Sequence, residues 1–302
     1  MKLEKIDCKF LRYSKGFCFS EHYAVFCTGR TAFICNRKLE CLHQVDNLFY
    51  VYKAKISPDE NNVLLISNSH HFYILNLKDF SLIKHVIRGK HNGNLEGRGC
   101  FSVDGKSIYL PLFNPKTFLS VLRRYDLASL SSFEDFMDQE YMILSIQCVR
   151  SLNKYLMLVL DRTSNPEFHI YKIVWFDGRD FEIYRLYIEA NRAEYDSDTG
   201  KIMLYDFFDT YRCDVDGKNL KLIDNPEDVN IVSSFSDAFK NLPIEKDKFD
   251  YIKNLSAAFG MENISIRDSI NKVVKSLDGN KNYVITNTGI YICGNDGKVL
   301  DK

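Results

Sequence analysis

Tyr52–His85 reads YKAKISPDENNVLLISNSHHFYILNLKDFSLIKH, four short apolar runs parted by three polar breaks: Ser57-Pro58-Asp59-Glu60-Asn61, Ser67–His70 and Lys78-Asp79. Runs of this length bounded by Pro, Asn, Asp and Ser are strands joined by tight turns. Strand alternation puts Tyr73, Leu75 and Leu77 on one side, and Phe72 and Ile74 on the other. The stretch predicts one four-stranded antiparallel unit that is apolar on both faces. Such a sheet needs cover on both sides, and stacked neighbours of its own kind supply it.

Working outward, two markers of that unit recur. The first is the turn after the opening strand: Ser57-Pro58-Asp59, Ser102-Val103-Asp104-Gly105-Lys106, a weaker Ser151-Leu152-Asn153-Lys154, then Asp196–Lys201 and Ser276–Asn280. Asp, Asn and Gly suit it because they tolerate left-handed backbone angles. The second is a polar residue closing the third strand, at Asn36, Asn76, Asp126, Asp177, Asp214 and Asn295, in steps of 40, 50, 51, 37 and 81. A period of this size with four strands per repeat predicts a β-propeller. The count predicts six blades across residues 1–302 as one domain. The long last step holds 225–267, where Phe249, Ile252, Leu255 and Phe259 fall at helical spacing before Gly260. It reads as a helical insertion before the last blade; a degenerate seventh blade is the alternative.

Ser57-Pro58-Asp59 before Val63-Leu64-Leu65-Ile66, and Val103-Asp104-Gly105-Lys106 before Ser107-Ile108-Tyr109, resemble the hairpin of YVTN-type and WD40-like propeller repeats. The resemblance implies the fold and little about function. The chain departs from true WD40 repeats in having a single Trp, Trp175, and no recurrent Trp-Asp pair.

Composition narrows the function classes. At 45% hydrophobic and 14% aromatic residues, a large core is available and disorder is not expected. Forty basic residues balance 40 acidic ones, so nothing favours nucleic acid or an anionic membrane. The first residues show no export signal. With nine cysteines, an odd count without a CxxC pair, a cytoplasmic location with reduced thiols is expected. Cys27, Cys35 and Cys41 are spaced as inward positions on successive strands. A monomer is expected.

Function on such scaffolds sits on loops. Loops between second and third strands share an end with the blade-to-blade connections. Those connections are expected near Gln44–Leu48, Arg88–Arg98, Ser131–Gln139 and Ile188–Arg192. The Arg88–Gly99 segment, RGKHNGNLEGRG, stands out. Gly-rich backbone approaches an anion closely and Arg offers paired donors. Arg88, Lys90, His91 and Arg98 are therefore candidates to bind an acidic peptide or anion, with His71 and the aromatic Phe207 and Phe208 at the same end. The plainer reading is a solvated connector. A second constellation, His71, Asp161, Asp206 and Asp209, would suit a metal; His70 and His71 point to opposite faces, so at most one could join it. Propellers of the lactonase-like group, which the chain resembles in architecture, carry such sites. Gly105-Lys106-Ser107 lacks the glycine spacing and following helix of a phosphate loop, and no cofactor is expected. The sequence thus favours a non-catalytic protein- or peptide-binding module over a metal-dependent lactonase or esterase.

Overall fold

The computed structural model describes residues 4–6, 16–36, 38–94, 98–137, 141–162, 169–206, 210–223, 270–275, 281–286 and 290–294. The proposed helical insertion at 225–267 lies outside them. The chain divides into two compact units, one of Met1–Tyr13 with Asn225–Lys302, the other of Ser14–Asp224. In the first, β1 (Glu4–Ile6) pairs with a sheet from the C-terminal part of the chain, given below.

Among the described residues of the larger unit the regular structure is strand, apart from one 3-10 turn at Arg150–Leu152. Its first sheet is β2 (Gly16–Phe19), β3 (Tyr23–Cys27), β4 (Ala32–Asn36) and β5 (Cys41–Val45); the second is β6 (Val51–Ile56), β7 (Asn62–Ser67), β8 (His71–Asn76) and β9 (Leu82–Val86). The third is β10 (Cys100–Phe101), β11 (Ser107–Phe113), β12 (Ser120–Asp126) and β13 (Ser129–Phe136). The fourth is β14 (Tyr141–Val149), β15 (Lys154–Asp161), β16 (Ile170–Phe176) and β17 (Phe181–Arg185); the fifth is β18 (Arg192–Asp196), β19 (Lys201–Tyr205), β20 (Thr210–Cys213) and β21 (Lys221–Leu222). Each is a four-stranded antiparallel meander, the blade of a propeller.

Five blades stand here, not the six or seven expected from the repeat count. The smaller unit holds its own four-stranded sheet, in the order β1-β24-β23-β22, where β22 is Ile270–Lys275, β23 Lys281–Thr286 and β24 Ile290–Gly294. The last tracked marker belongs to that unit. Counting markers along the chain cannot tell one compact unit from two.

The packing between blades follows from the two-sided pattern. Strand β7 is buried continuously from Val63 to Ser67. Val63 and Leu65 join Tyr73, Leu75 and Leu77 in a cluster with Val25, Ile34 and Val45 of the first blade. Leu64 and Ile66 join Phe72 and Ile74 in a cluster with Ile108, Leu110 and Tyr125 of the third. Two more clusters link the third blade to the fourth and the fourth to the fifth. Each fully buried aliphatic side chain contributes about 1.5–3 kcal/mol, so no blade keeps its faces dry alone.

Side chains fasten consecutive blades where strand edges meet. The Ser145 hydroxyl accepts the Ala193 amide at 3.1 Å, and the Gln147 side chain accepts the Tyr195 amide at 2.6 Å. Trp175, buried between the fourth and fifth blades, donates from Nε1 to the Val215 carbonyl at 2.8 Å. Two sequence expectations shift. Cys27 and Cys35 are buried, but Cys41 is exposed on the outer strand β5. The connection expected at Ser131–Gln139 is strand β13 as far as Phe136; its Ser, Glu and Asp residues belong to a solvated outer strand, not a loop.

Candidate binding site

The end expected to carry function is assembled by backbone hydrogen bonds. Connections between blades donate into the loops between second and third strands: Leu48 to Arg30, Ile87 to His70, Gly93 to Phe113 and Asn191 to Tyr205, at 2.7–3.1 Å. At Gly93 the approach is close enough that a Cβ would lie 2.4 Å from the Phe113 ring.

The described residues of the Arg88–Arg98 connection meet the third blade at Gly93, which bonds Phe113, and at Arg88, whose carbonyl accepts from Arg123. Asn94 is buried and clamps Arg98 from both sides, donating to its carbonyl and accepting its amide, each at 3.0 Å. Arg98 in turn donates from Nη1 to the Ile143 carbonyl at 2.7 Å, so its guanidinium fastens the connection to β14. Arg88 and Lys90 are exposed, whereas His91 is buried.

The centre of this region is a residue that the sequence reading missed. Arg123, on β12, keeps 3% of its side chain exposed. Its Nε and Nη2 donate to the two carboxylate oxygens of Asp135 on β13 at 2.6 and 2.7 Å, and Nη1 donates to the Arg88 carbonyl at 2.9 Å. The guanidinium lies 3.9 Å over the Phe133 ring. Burial works against its charge most strongly, but Asp135 and the neighbouring Tyr125 together outweigh it and hold Arg123 above the usual arginine value. The available signal was an arginine at an inward position of an apolar strand, with an aspartate one hairpin away.

Arg123, Asp135, Phe133, Phe136, Lys90 and His91 line a cavity of about 340 Å³. His91 is 5% exposed, and its Nε2 is buried with no hydrogen-bond partner among the described residues. Burial chiefly holds its pKa below the usual histidine value, and the charges of Arg123 and Lys90 add to that while Asp135 opposes it. The imidazole is therefore neutral at pH 7. An unpaired buried polar atom costs about 1–3 kcal/mol.

The second constellation is dispersed into local pairs. His71 is buried, with Nδ1 at 2.8 Å from the Ser69 hydroxyl and Nε2 unpartnered among the described residues; His70 is exposed, as alternation requires. Asp161 is 1% exposed and accepts from Lys172 Nζ at 2.8 Å. Burial disfavours the Lys172 charge most strongly, yet Asp161 and Tyr141 together raise its pKa. Asp206 accepts from Asn191 at 3.2 Å. Asp209, Phe207 and Phe208 lie outside the described residues. Among the described residues no three His, Cys, Asp or Glu side chains gather as a metal site would require, and no helix is long and apolar enough to cross a membrane.

No protein-family model matches the chain, and no curated protein matches it by sequence. Solved structures match it by shape. The β-propeller domain of Cps50 (Swd1) from Myceliophteria thermophila aligns with a TM-score of 0.54 and 11% identity, over 71% of this chain and 74% of that one. A protein of unknown function from Desulfotomaculum acetoxidans aligns at 0.52 and 11%, over 70% and 71%. Dihydro-heme d1 dehydrogenase NirN, in complex with DHE, aligns at 0.51 and 12%, over 91% of this chain and 54% of that one. At such identities the likeness shows the fold, a β-propeller, and a WD40 propeller and an enzyme stand equally near.

Proposed function

We propose that this propeller is a non-catalytic scaffold module that binds a protein or peptide partner through the end carrying the Arg88–Arg98 connection. The observation that supports it is the cavity beside that connection, where His91 Nε2 is buried without a partner next to an arginine already fixed in place. Positioned, desolvated groups of this kind recognise a ligand without needing to react with it. The exposed Arg88 and Lys90 at the rim favour an acidic partner. Arg98 acts in this reading by fastening the connection, and His71 by packing beneath the neighbouring loop. A metal-dependent lactonase reading draws less support, since the Asp161 charge is already met by Lys172.

The test is affinity capture from the native host with the wild-type chain and with a combined Arg88→Ala, Lys90→Ala, His91→Leu variant. The wild type should retain a partner that the variant loses while its circular dichroism stays unchanged. Retention of every partner by a folded variant would refute the reading.

A further inference from the structure

Outer strands of blades carry a free edge of unpaired amides and carbonyls, and proteins usually blunt such edges with charge. Strand β13 carries Glu134 and Asp135, and β17 carries Glu182 and Arg185. Strand β9, LIKHV, is different. It exposes three large aliphatic side chains, Leu82 (39%), Ile83 (55%) and Val86 (49%), with Lys84 its one residue of fixed charge.

The register identifies which backbone groups are free. Asn76 donates to the Ser81 carbonyl and Ile87 to the His70 carbonyl, at 2.9 and 2.7 Å. Ser81, Ile83, His85 and Ile87 therefore bond to β8, and Leu82, Lys84 and Val86 turn their amides and carbonyls outward. A groove of about 400 Å³ runs along this edge, lined by Lys84, Val86, His85 and Arg88 on one side and by Tyr125, Leu130 and Phe133 of the third blade on the other. The Lys84 side chain crosses to the opposite sheet face, its ammonium 5.9 Å from the Tyr73 ring centre. Lys84 and Val86 thus meet the groove through their backbone.

We propose that the outer edge of β9 is a strand-addition site for an extended segment of a partner protein that alternates apolar and acidic residues. The backbone of that segment would pair with Lys84 and Val86. Its apolar side chains would enter the groove against Tyr125, Leu130 and Phe133, alternation would turn its acidic ones to the sheet face where Lys84 lies, and a carboxylate past the paired stretch would meet Arg88. No carboxylate among the described residues lines the groove, which leaves the charge of Arg88 to the incoming chain. A second copy of this chain fits less well: two β9 edges paired about a two-fold axis at Lys84 would set like charges directly opposite each other. The inference goes beyond the function proposed above, because it uses the outer rim and not the His91 cavity.

The experiment uses the full chain and a fluorescein-labelled synthetic peptide alternating glutamate and valine, with a lysine–valine peptide as control. The acidic peptide should bind, and the Lys84 and Val86 amides should become protected from hydrogen exchange. Val86→Pro removes one outward donor but no bond of the fold, and should weaken binding about tenfold. Arg88→Glu should reverse the preference between the peptides, and Arg179→Ala, on an exposed turn of the fourth blade, should change nothing. Failure of the acidic peptide to bind, binding that ignores Val86→Pro, or a dimer in sedimentation that Val86→Pro abolishes would each overturn the proposal.

Discussion

At the scale of single residues, Arg123 and Asp135 are a charge pair of unequal exposure, 3% against 32%. Removing the aspartate leaves a desolvated guanidinium with only the Arg88 carbonyl, whereas removing both removes the problem. Asp135→Ala should therefore cost about 2–3 kcal/mol in urea unfolding, and the Arg123→Met, Asp135→Ala double variant less than that single change. A double variant worse than both singles would deny that burial of the charge dominates. Glu60 is a different case. It holds a left-handed φ of 54° at the turn position where the third blade has Gly105, at a cost of roughly 1 kcal/mol for a side-chain-bearing residue. Its carboxylate compensates by accepting from the His22 amide at 3.0 Å and lying 2.6 Å from His22 Nδ1. The Glu60 hydrogen bond raises the His22 pKa, so this contact is stabilising below pH 6.5 and is lost as pH rises through the raised value. Glu60→Gly should thus be more stable than wild type at pH 8.5 and lose that advantage at pH 6, read as thermal midpoints; the opposite order would disprove the compensation.

At the scale of the element, blade contacts depend on positions with no room for change. A Cβ at Gly16 would sit 1.7 Å from the Tyr52 carbonyl oxygen of the next blade. Backbone must move to admit it, and Gly16→Ala should lower stability by about 2 kcal/mol or more; a midpoint within error of wild type would show that β2 is not held against β6. The blades themselves were legible because their turns are written locally. Ser57 and Ser102 each donate to the aspartate two residues on at 2.6 Å and accept the amide five residues on at 2.9 Å. Asn36, Asn76, Asp126 and Asp177 each accept the amide two residues on, at 2.8–2.9 Å. Both markers are bonds within one hairpin, so one sequence reveals them. The site was less legible. His91 could be picked out on a basic, glycine-rich connection, but Arg123 becomes a partner only when β12 and β13 pair and the connection folds over them. Arg98, a candidate ligand donor by sequence, donates to the carbonyl of Ile143, 45 residues away, a partner no local pattern signals. Contacts across blades leave no periodic trace.

At the scale of the molecule, the balance of titrating groups sets how stability follows pH. His71, His85 and His91 all have lowered pKa values, in each case chiefly through burial. Below their ordinary value of 6.5 the unfolded chain binds protons that the folded chain refuses, so stability falls as pH drops from there. His22 acts in the opposite sense, but it is exposed. The turn aspartates do not enter this range. Asp104 is held low by its Ser102 hydrogen bond and Asp196 by Thr199, and their contribution is lost only as pH falls below 3.8. The stretch between pH 6.5 and about 5 is therefore a histidine window. Urea midpoints of the wild-type chain should fall steadily as pH drops across it. His91→Leu, which fills the same space without a proton site, should flatten the slope, and adding His85→Leu should flatten it further. A wild-type midpoint constant from pH 7 to 5, or a double variant with the wild-type slope, would mean that these imidazoles reach water far more easily than their burial requires.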